Sequence, residues 1–311
     1  MLVVILAAAI FYFILIVLSD VDKVVAAADH FEWVYILPAI SLIVANYLVR
    51  AERWHYYLNR TGLGLPRKKS YWLFLSGFAM LITPAKAGEA IKALLLKVEK
   101  NAPIERGVAI VFAERMTDII GMIILIAIGS FAITYGLVPF SITVVAVIVI
   151  LLALNVERFS SGLARWLQRR PGLERVGRFL GGAVADARTL LRGKNLWTGT
   201  GFALAGWALE SLAFYLVLRG CAIDATELES VFIYSFSLLI GALSMLPGGM
   251  GTTEAIMVGL LVAIPVAASS ASFAVILMRI CALWLAVSVG VVSLAIYSRR
   301  SPIMIEPSGA G

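Results

Sequence analysis

Thr83-Pro84-Ala85-Lys86-Ala87-Gly88-Glu89-Ala90 breaks one apolar stretch of this chain, and Leu246-Pro247-Gly248-Gly249-Met250-Gly251-Thr252-Thr253-Glu254-Ala255 breaks another. Each sets a proline, glycine and a glutamate inside sequence that otherwise reads as membrane helix. Proline removes a backbone donor and glycine admits conformations a helix excludes, so both stretches predict an interrupted helix. Matched interruptions in two halves of a chain are the pattern of a transporter's substrate site.

The surrounding composition agrees. The 311 residues are 61% hydrophobic and 14% charged, with a mean hydropathy of +0.95. A soluble domain averages about 45–50% apolar residues. The expectation is one membrane domain over 1–311, without a catalytic appendage. The net charge of +7 is read as basic residues gathered on cytoplasmic loops, so no nucleic-acid partner is expected. Cys221 and Cys281 have neither metal nor disulfide spacing. No metal, cofactor or catalytic residue is expected. Met1–Leu18 lacks a charged start and a small-residue cleavage site, so it reads as a retained helix.

Runs of about 17 or more apolar residues are candidates to cross the bilayer. Met1–Leu18, Trp33–Val49, Leu137–Val156, Leu196–Leu218 and Ser269–Ser298 qualify, the last two holding Glu210 and Arg279. Gly107–Tyr135 qualifies if Glu114, Arg115 and Asp118 are housed within the membrane. Loop charge then sets orientation. Asp20, Asp22, Asp29 and Glu32 lie outside, whereas Arg50, Arg53, Arg60, Arg67, Lys68 and Lys69 lie in a cytoplasmic loop. The arginine-rich segment 157–195 is also inside, and both termini come out cytoplasmic.

This topology closes only if Tyr71–Leu96 and Val231–Ala263 enter the bilayer and return. The expected fold is therefore all-α: six transmembrane helices plus two re-entrant helical hairpins in an inverted repeat, with units at about 33–135 and 196–298. In 157–195, Phe159, Leu163, Trp166 and Leu167, then Phe179, Leu180 and Val184, recur at helical spacing among arginines. They predict interfacial helices drawn to anionic inner-leaflet lipid. A solvated basic loop is the competing reading.

Thr83-Pro84 reads as an N-cap followed by proline at the first helical position, and Thr252-Thr253-Glu254 as a second helix start. Such starts favour an anionic group. Irregular backbone within a membrane survives only where protein buries it or a wet cavity receives it. The backbone at Thr83, Pro84, Gly88, Pro247, Gly248, Gly249, Gly251 and Thr253 is thus expected to face a shared mid-membrane pocket. Lys86, Glu89 and Lys92 share one side of a half-helix; Glu114 and Asp118 share a face, and Arg115 can pair with Asp118. Each charge at mid-bilayer costs about 2.5–3.5 kcal/mol, so these groups must turn inward.

Lys86, Glu89, Glu114, Arg115, Asp118, Glu254 and Arg279 form the candidate substrate-binding set. Arg115 and Arg279 suit a phosphate, since guanidinium binds it bidentately. Glu89 and Glu254 can meet a cationic headgroup, exchange a proton, or hold the arginines when no substrate is present. An ion-pair network that only ties helices together competes with all of these roles.

The motifs Pro84–Glu89, Glu114–Asp118 and Leu246–Glu254 resemble those in the membrane region of lysylphosphatidylglycerol synthases and in the stand-alone flippase-like proteins related to it. The resemblance runs from about Ala51 to Ser298. Lys86 stands where relatives usually carry arginine. Two-domain members carry a C-terminal aminoacyltransferase; with twelve residues after Arg299, a stand-alone member is expected. The resemblance implies movement of an anionic or zwitterionic lipid (phospholipid, aminoacyl-phospholipid, or an isoprenoid or hopanoid type) between leaflets of a bacterial inner membrane, and is compatible with a homo-oligomer. A membrane-embedded lipid-modifying enzyme using Glu89, Glu114 and Asp118, and an accessory scaffold for lipid or envelope biosynthesis, are the alternatives.

Overall fold

The computed structural model describes residues 26–83, 89–132, 141, 166–170 and 173–300, and every element among them is helical. Helix α1 spans Ile36–Arg60. It buries Ala39, Ile43, Tyr47, Arg50, Trp54 and Tyr57 along one face, at helical spacing. Its opposite face shows apolar Leu37, Val44 and Leu48 to the surroundings, as a lipid-facing surface does. α2 (Arg67–Ser76) runs into a 3₁₀ turn, Gly77–Met80. α3 (Ile91–Lys100) follows the first break and ends at Asn101 in the left-handed region, and α4 covers Ile104–Gly129.

α5 (Glu174–Leu190) precedes the long α6 (Gly193–Gly220). α7 (Glu227–Leu243) starts at a capping box, in which Thr226 and Glu229 satisfy each other's backbone N–H. After the second break come α8 (Thr252–Val262) and α9 (Ala268–Arg279). A π-helical turn, Ile280–Trp284, joins α9 to α10 (Leu285–Arg300).

The order of elements recurs. A long helix, a tight loop, a second helix, a break, a short helix and a long helix appear as α1–α4 and again as α6–α10. The loops match in detail. After α1, Leu63 N–H donates to Leu58 C=O at 2.9 Å and Gly62 N–H to Asn59 C=O at 3.3 Å. After α6, Ile223 N–H donates to Leu218 C=O and Ala222 N–H to Arg219 C=O, both at 3.0 Å. Both are Schellman ends. The left-handed position is Gly62 (φ 72°) in one and Ala222 (φ 54°) in the other.

Residues n and n+160 correspond through this part of the repeat, and two such positions touch each other: Asn46 Nδ2 donates to Gly206 C=O at 2.6 Å. Equivalent faces of α1 and α6 therefore meet, and this helix pair makes the most extensive contact among the described elements. α4 packs on α6 and α7, and α10 packs on α2 and its 3₁₀ turn. At that last contact a Cβ on Gly290 would stand 2.1 Å from Ala79 N, so glycine lets the two backbones touch.

Among the described residues three helical runs have the length and hydropathy to cross a membrane: Trp33–Arg60, Gly193–Gly220 and Ala268–Arg299. Both apolar stretches with the quoted motifs are broken, as expected. The expected end of the first of these runs at Val49 is corrected. The helix continues to Arg60, and Arg50 and Arg53 are buried in it rather than placed on a loop. Their charges find partners on α4 and α6, so no cytoplasmic water is needed to solvate them.

The 157–195 reading is also modified. α5 forms over Phe179, Leu180 and Val184, but part of its surface packs on α4. Arg106 of α4 pairs with Asp186 at 3.2 Å, while Trp166 remains half exposed. Met1–Leu18, nearly all of Leu137–Val156, and Phe159 and Leu163 lie outside the described residues.

Candidate functional site

α4 supplies three charged side chains within little more than one turn. Glu114 accepts from Lys92 Nζ at 2.6 Å, and that ammonium lies 3.4 Å from Glu89 Oε2. The same Lys92 ammonium sits over the rings of Trp54 (4.9 Å) and Phe74 (5.1 Å). Gly77 makes room for its stem, because a Cβ there would come within 2.7 Å of Lys92 Cγ. Arg115 Nη2 donates to Glu89 Oε2 at 2.8 Å and lies 3.4 Å from Asp118 Oδ2.

Asp118 is the hub. Arg53 Nη1 donates to its Oδ1 at 2.7 Å and Trp207 Nε1 at 3.1 Å, while Arg50 Nη2 stands 3.8 Å from its Oδ2. One carboxylate thus joins α1, α4 and α6. Arg53 and Glu114 are fully buried, and Glu89, Lys92 and Asp118 nearly so. Water cannot screen these charges, so each depends on its partners.

The second break has its own clasp. Gly248, Gly249 and Gly251 take φ of 60°, 67° and 89°, in the left-handed region that glycine tolerates. Glu254 sits in the first turn of α8 and accepts from Gly251 N–H at 2.8 Å and from Arg279 Nε at 2.7 Å. Arg279 Nη2 donates to Gly248 C=O at 2.7 Å, pinning the irregular backbone. Thr253 is buried against Gly241, where a Cβ would lie 1.9 Å from Thr253 Oγ1.

The two breaks share a pattern. Glu89 and Arg115 are 26 residues apart, and Glu254 and Arg279 are 25. Each pair joins a glutamate just beyond a break to an arginine in the long helix that follows.

Between the units lies a cavity of about 60 Å³, with Arg50, Phe78, Trp207, Glu210, Gly248 and Arg279 among its walls. Water-sized space of this order holds a few waters or one compact polar group. Glu210 accepts from Tyr234 Oη at 2.8 Å and Asn46 Nδ2 at 3.1 Å. The π turn contributes too, since Ala282 C=O accepts from Tyr47 Oη at 3.1 Å. π turns often occur at functional sites. Among the described residues the buried charged set is Arg50, Arg53, Lys92 and Arg279, with partly exposed Arg115, against Glu89, Glu114, Asp118, Glu210 and Glu254. Ionised throughout, that set carries no net charge.

Of the residues singled out in the sequence, Glu89, Glu114, Arg115 and Asp118 join in one cluster and Glu254 and Arg279 in another. Arg115 is the most open of them, with 23% of its side chain exposed. The Thr83 hydroxyl donates back to Met80 C=O at 2.8 Å, closing the preceding turn, and the helix start expected at Thr83-Pro84 falls on residues outside those described. α3 begins at Ile91. Pro84, Lys86 and Gly88 lie outside the described residues.

The sequence reading missed Arg50, Arg53, Asn46, Trp207 and Tyr234. The signal for the first three was present, because Asn46, Arg50 and Arg53 continue the helical spacing of Ala39 and Ile43. Among the described residues no group of three His, Cys, Asp or Glu side chains lies close enough to hold a metal ion.

Long apolar helices that turn their ionised side chains inward, around a polar cavity, define a multi-pass helical membrane protein. Residues 3–290 match the family described as the lysylphosphatidylglycerol synthase TM region, and the chain belongs to that family. Its relatives include archaeal proteins. A UPF0104 membrane protein of Methanothermobacter thermautotrophicus is 25% identical over 302 residues, covering 91% of this chain and 90% of its own. The UPF0104 membrane protein PH1989 of Pyrococcus horikoshii is 22% identical over 284 residues, covering 82% and 85%. The glycosyltransferase AglD of Haloferax volcanii is 23% identical over 282 residues, covering 76% of this chain and 43% of AglD.

Proposed function

We propose that this protein moves a lipid with a polar headgroup between the two leaflets of a membrane. The observation that carries the reading is the polar cavity between the repeated units, walled by Arg50, Glu210 and Arg279 inside helices whose outer faces are apolar. A buried ion pair adds little stability over well-packed apolar side chains, so nine buried charged groups are better accounted for by passage of something polar. The recurring order of elements and the matched Glu–Arg pairs support an inverted repeat of about 33–135 and 196–298, whose broken stretches re-enter the bilayer. In this reading the headgroup occupies the cavity while the acyl chains stay among the helices. One unit rocks against the other to change access.

The basic segment 157–195 faces anionic lipid on the cytoplasmic side, as do both termini. Glu89, Glu114, Arg115, Asp118, Glu254 and Arg279, with Lys86, form the polar lining of the route. Membership of the family supports the lipid class. The glycosyltransferase name of one relative supports adding lipid-linked sugars to the substrates considered.

Leaflet exchange of fluorescent lipids in reconstituted vesicles tests the reading. The panel holds phosphatidylglycerol, phosphatidylethanolamine and a glycolipid, each exposed to an external quencher. The protein is expected to accelerate quenching of inner-leaflet label for at least one lipid. Arg279→Gln is expected to slow it by about tenfold or more, the loss of a charge-assisted contact. Rates equal to those of protein-free vesicles across the panel would sink the proposal.

A further inference from the structure

Arg50 differs from the other buried cations. It is 7% exposed and its Nε is fully shielded. Among the described residues its guanidinium makes no hydrogen bond, and its nearest acidic oxygen, on Asp118, is 3.8 Å away. Arg53, one turn on, reaches the same carboxylate at 2.7 Å. Arg50 is held by the rings of Trp207 (5.1 Å) and Phe78 (5.8 Å), which fix its position without satisfying its donors.

The repeat explains why Arg50 has no hydrogen-bonded carboxylate. Asn46 reaches Glu210, 164 residues away, across the α1–α6 contact. Exchanging the two units maps that contact onto Gly206 and Arg50. Gly206 has no side chain, so Arg50 meets no α6 carboxylate where Asn46 meets Glu210. A Cβ on Gly206 would lie 3.4 Å from Arg50 Cγ, in ordinary contact. The guanidinium lines the cavity together with Arg279.

We propose that Arg50 anchors a seat for one phosphate-type oxyanion, a phosphodiester, in the cavity where α1 and α6 meet. Five fixed donors in a planar fork match two phosphate oxygens, and burial among aromatic rings strengthens the contact. Arg279 lines the same cavity, its own Nε and Nη2 donating to Glu254 and Gly248. The phosphate contact thus moves from Arg115, which is already engaged by Glu89 and Asp118, to Arg50. This inference rests on the lipid-translocation reading only for the source of the oxyanion.

Thermal unfolding of the full chain in neutral detergent tests the seat. The probes are dihexanoyl phosphatidylglycerol, dihexanoylglycerol and inorganic phosphate. The phospholipid is expected to raise the midpoint saturably, and dihexanoylglycerol is expected to leave it unchanged. Protection by inorganic phosphate without protection by the phospholipid would overturn the lipid source. Arg50→Met is expected to weaken the phospholipid effect by about tenfold or more, and Arg50→Lys by less.

If Arg50→Met fails to fold, Gly206→Asp carries the test. It supplies an internal carboxylate beside Arg50 and is expected to abolish protection while keeping a midpoint at or above that of the parent. Undiminished phospholipid protection in either variant, or equal protection by dihexanoylglycerol, would overturn the seat. The two readings fail separately. Binding without leaflet exchange would sink translocation and keep the seat, whereas parental exchange rates in Arg50→Met would sink the seat and keep translocation.

Discussion

Asp118 shows what a single buried carboxylate does here. It is 1% exposed and receives Arg53 at 2.7 Å and Trp207 at 3.1 Å, with Arg115 at 3.4 Å. The Trp207 bond ties it to a helix 89 residues away in sequence. Removing one partner of a buried ion pair leaves the other charge uncompensated, at a cost of about 3–5 kcal/mol. Asp118→Ala leaves the fully buried Arg53 with Thr117 Oγ1 at 3.2 Å and Glu114 at 4.0 Å, and takes the Trp207 acceptor as well. The variant is expected to unfold at markedly lower temperature or denaturant concentration than the parent in the same detergent, by about that free energy. A midpoint within experimental error of the parent would show that the network carries no structural weight. The same residue shows what was readable in advance. The i, i+3 relation of Arg115 and Asp118, and the need to house both, follow from α4's sequence alone. That Arg53 is Asp118's closest cation does not. Loop-charge reasoning assigns arginine at the end of an apolar run to water, and only the position of α4 beside α1 reverses that assignment.

At the scale of elements, the two breaks were legible because proline, glycine and glutamate act locally. The exact course of each break was not. α8 starts where the Thr252-Thr253-Glu254 pattern puts it, with Glu254 accepting the Gly251 N–H. In the first unit the corresponding turn, 84–88, lies outside the described residues, and the Thr83 hydroxyl is seen donating to Met80 C=O. A hydroxyl can donate to the preceding turn as readily as accept from the next, and composition does not distinguish the two. The π turn at Ile280–Trp284 has no sequence signal, since it depends on what packs against α9 and α10. The contact of α10 with the 3₁₀ turn is similarly tertiary. Gly290 reads as an ordinary membrane-helix glycine, yet a Cβ there would meet Ala79 N at 2.1 Å and Phe78 C at 2.4 Å. Both are backbone atoms, so the helices must separate to admit alanine. Gly290→Ala is expected to cost about 1–3 kcal/mol by overpacking. Gly206→Ala, whose Cβ meets side-chain atoms at 3.4 Å and beyond, is expected to fall within about 0.5 kcal/mol of the parent. Paired unfolding measurements on the two variants check the contrast, and equal stabilities would contradict the close approach.

For the molecule as a whole, the α1–α6 contact is where one unit would have to slide against the other. Its hydrogen bonds are few and include Asn46 to Gly206 C=O and to Glu210. Small residues and polar side chains let such a contact hold two arrangements without leaving a buried donor unsatisfied. Because equivalent positions face each other, a second arrangement can be built from the same side chains with the roles of the units exchanged. Transport by alternating access requires that exchange; a channel-like path along a rigid groove does not. A cross-link separates them. In a background of Cys221→Ala and Cys281→Ala, cysteines at Asn46 and Gly206 joined by a short reducible thiol cross-linker would hold the present arrangement. Leaflet exchange is expected to fall by about tenfold or more on cross-linking and to return on reduction, because motion that must cross the contact is blocked at its centre. Each single-cysteine variant, treated alike, is expected to keep its rate. Exchange that persists in fully cross-linked protein would place the lipid's path on a rigid surface and remove the rocking of units from the mechanism.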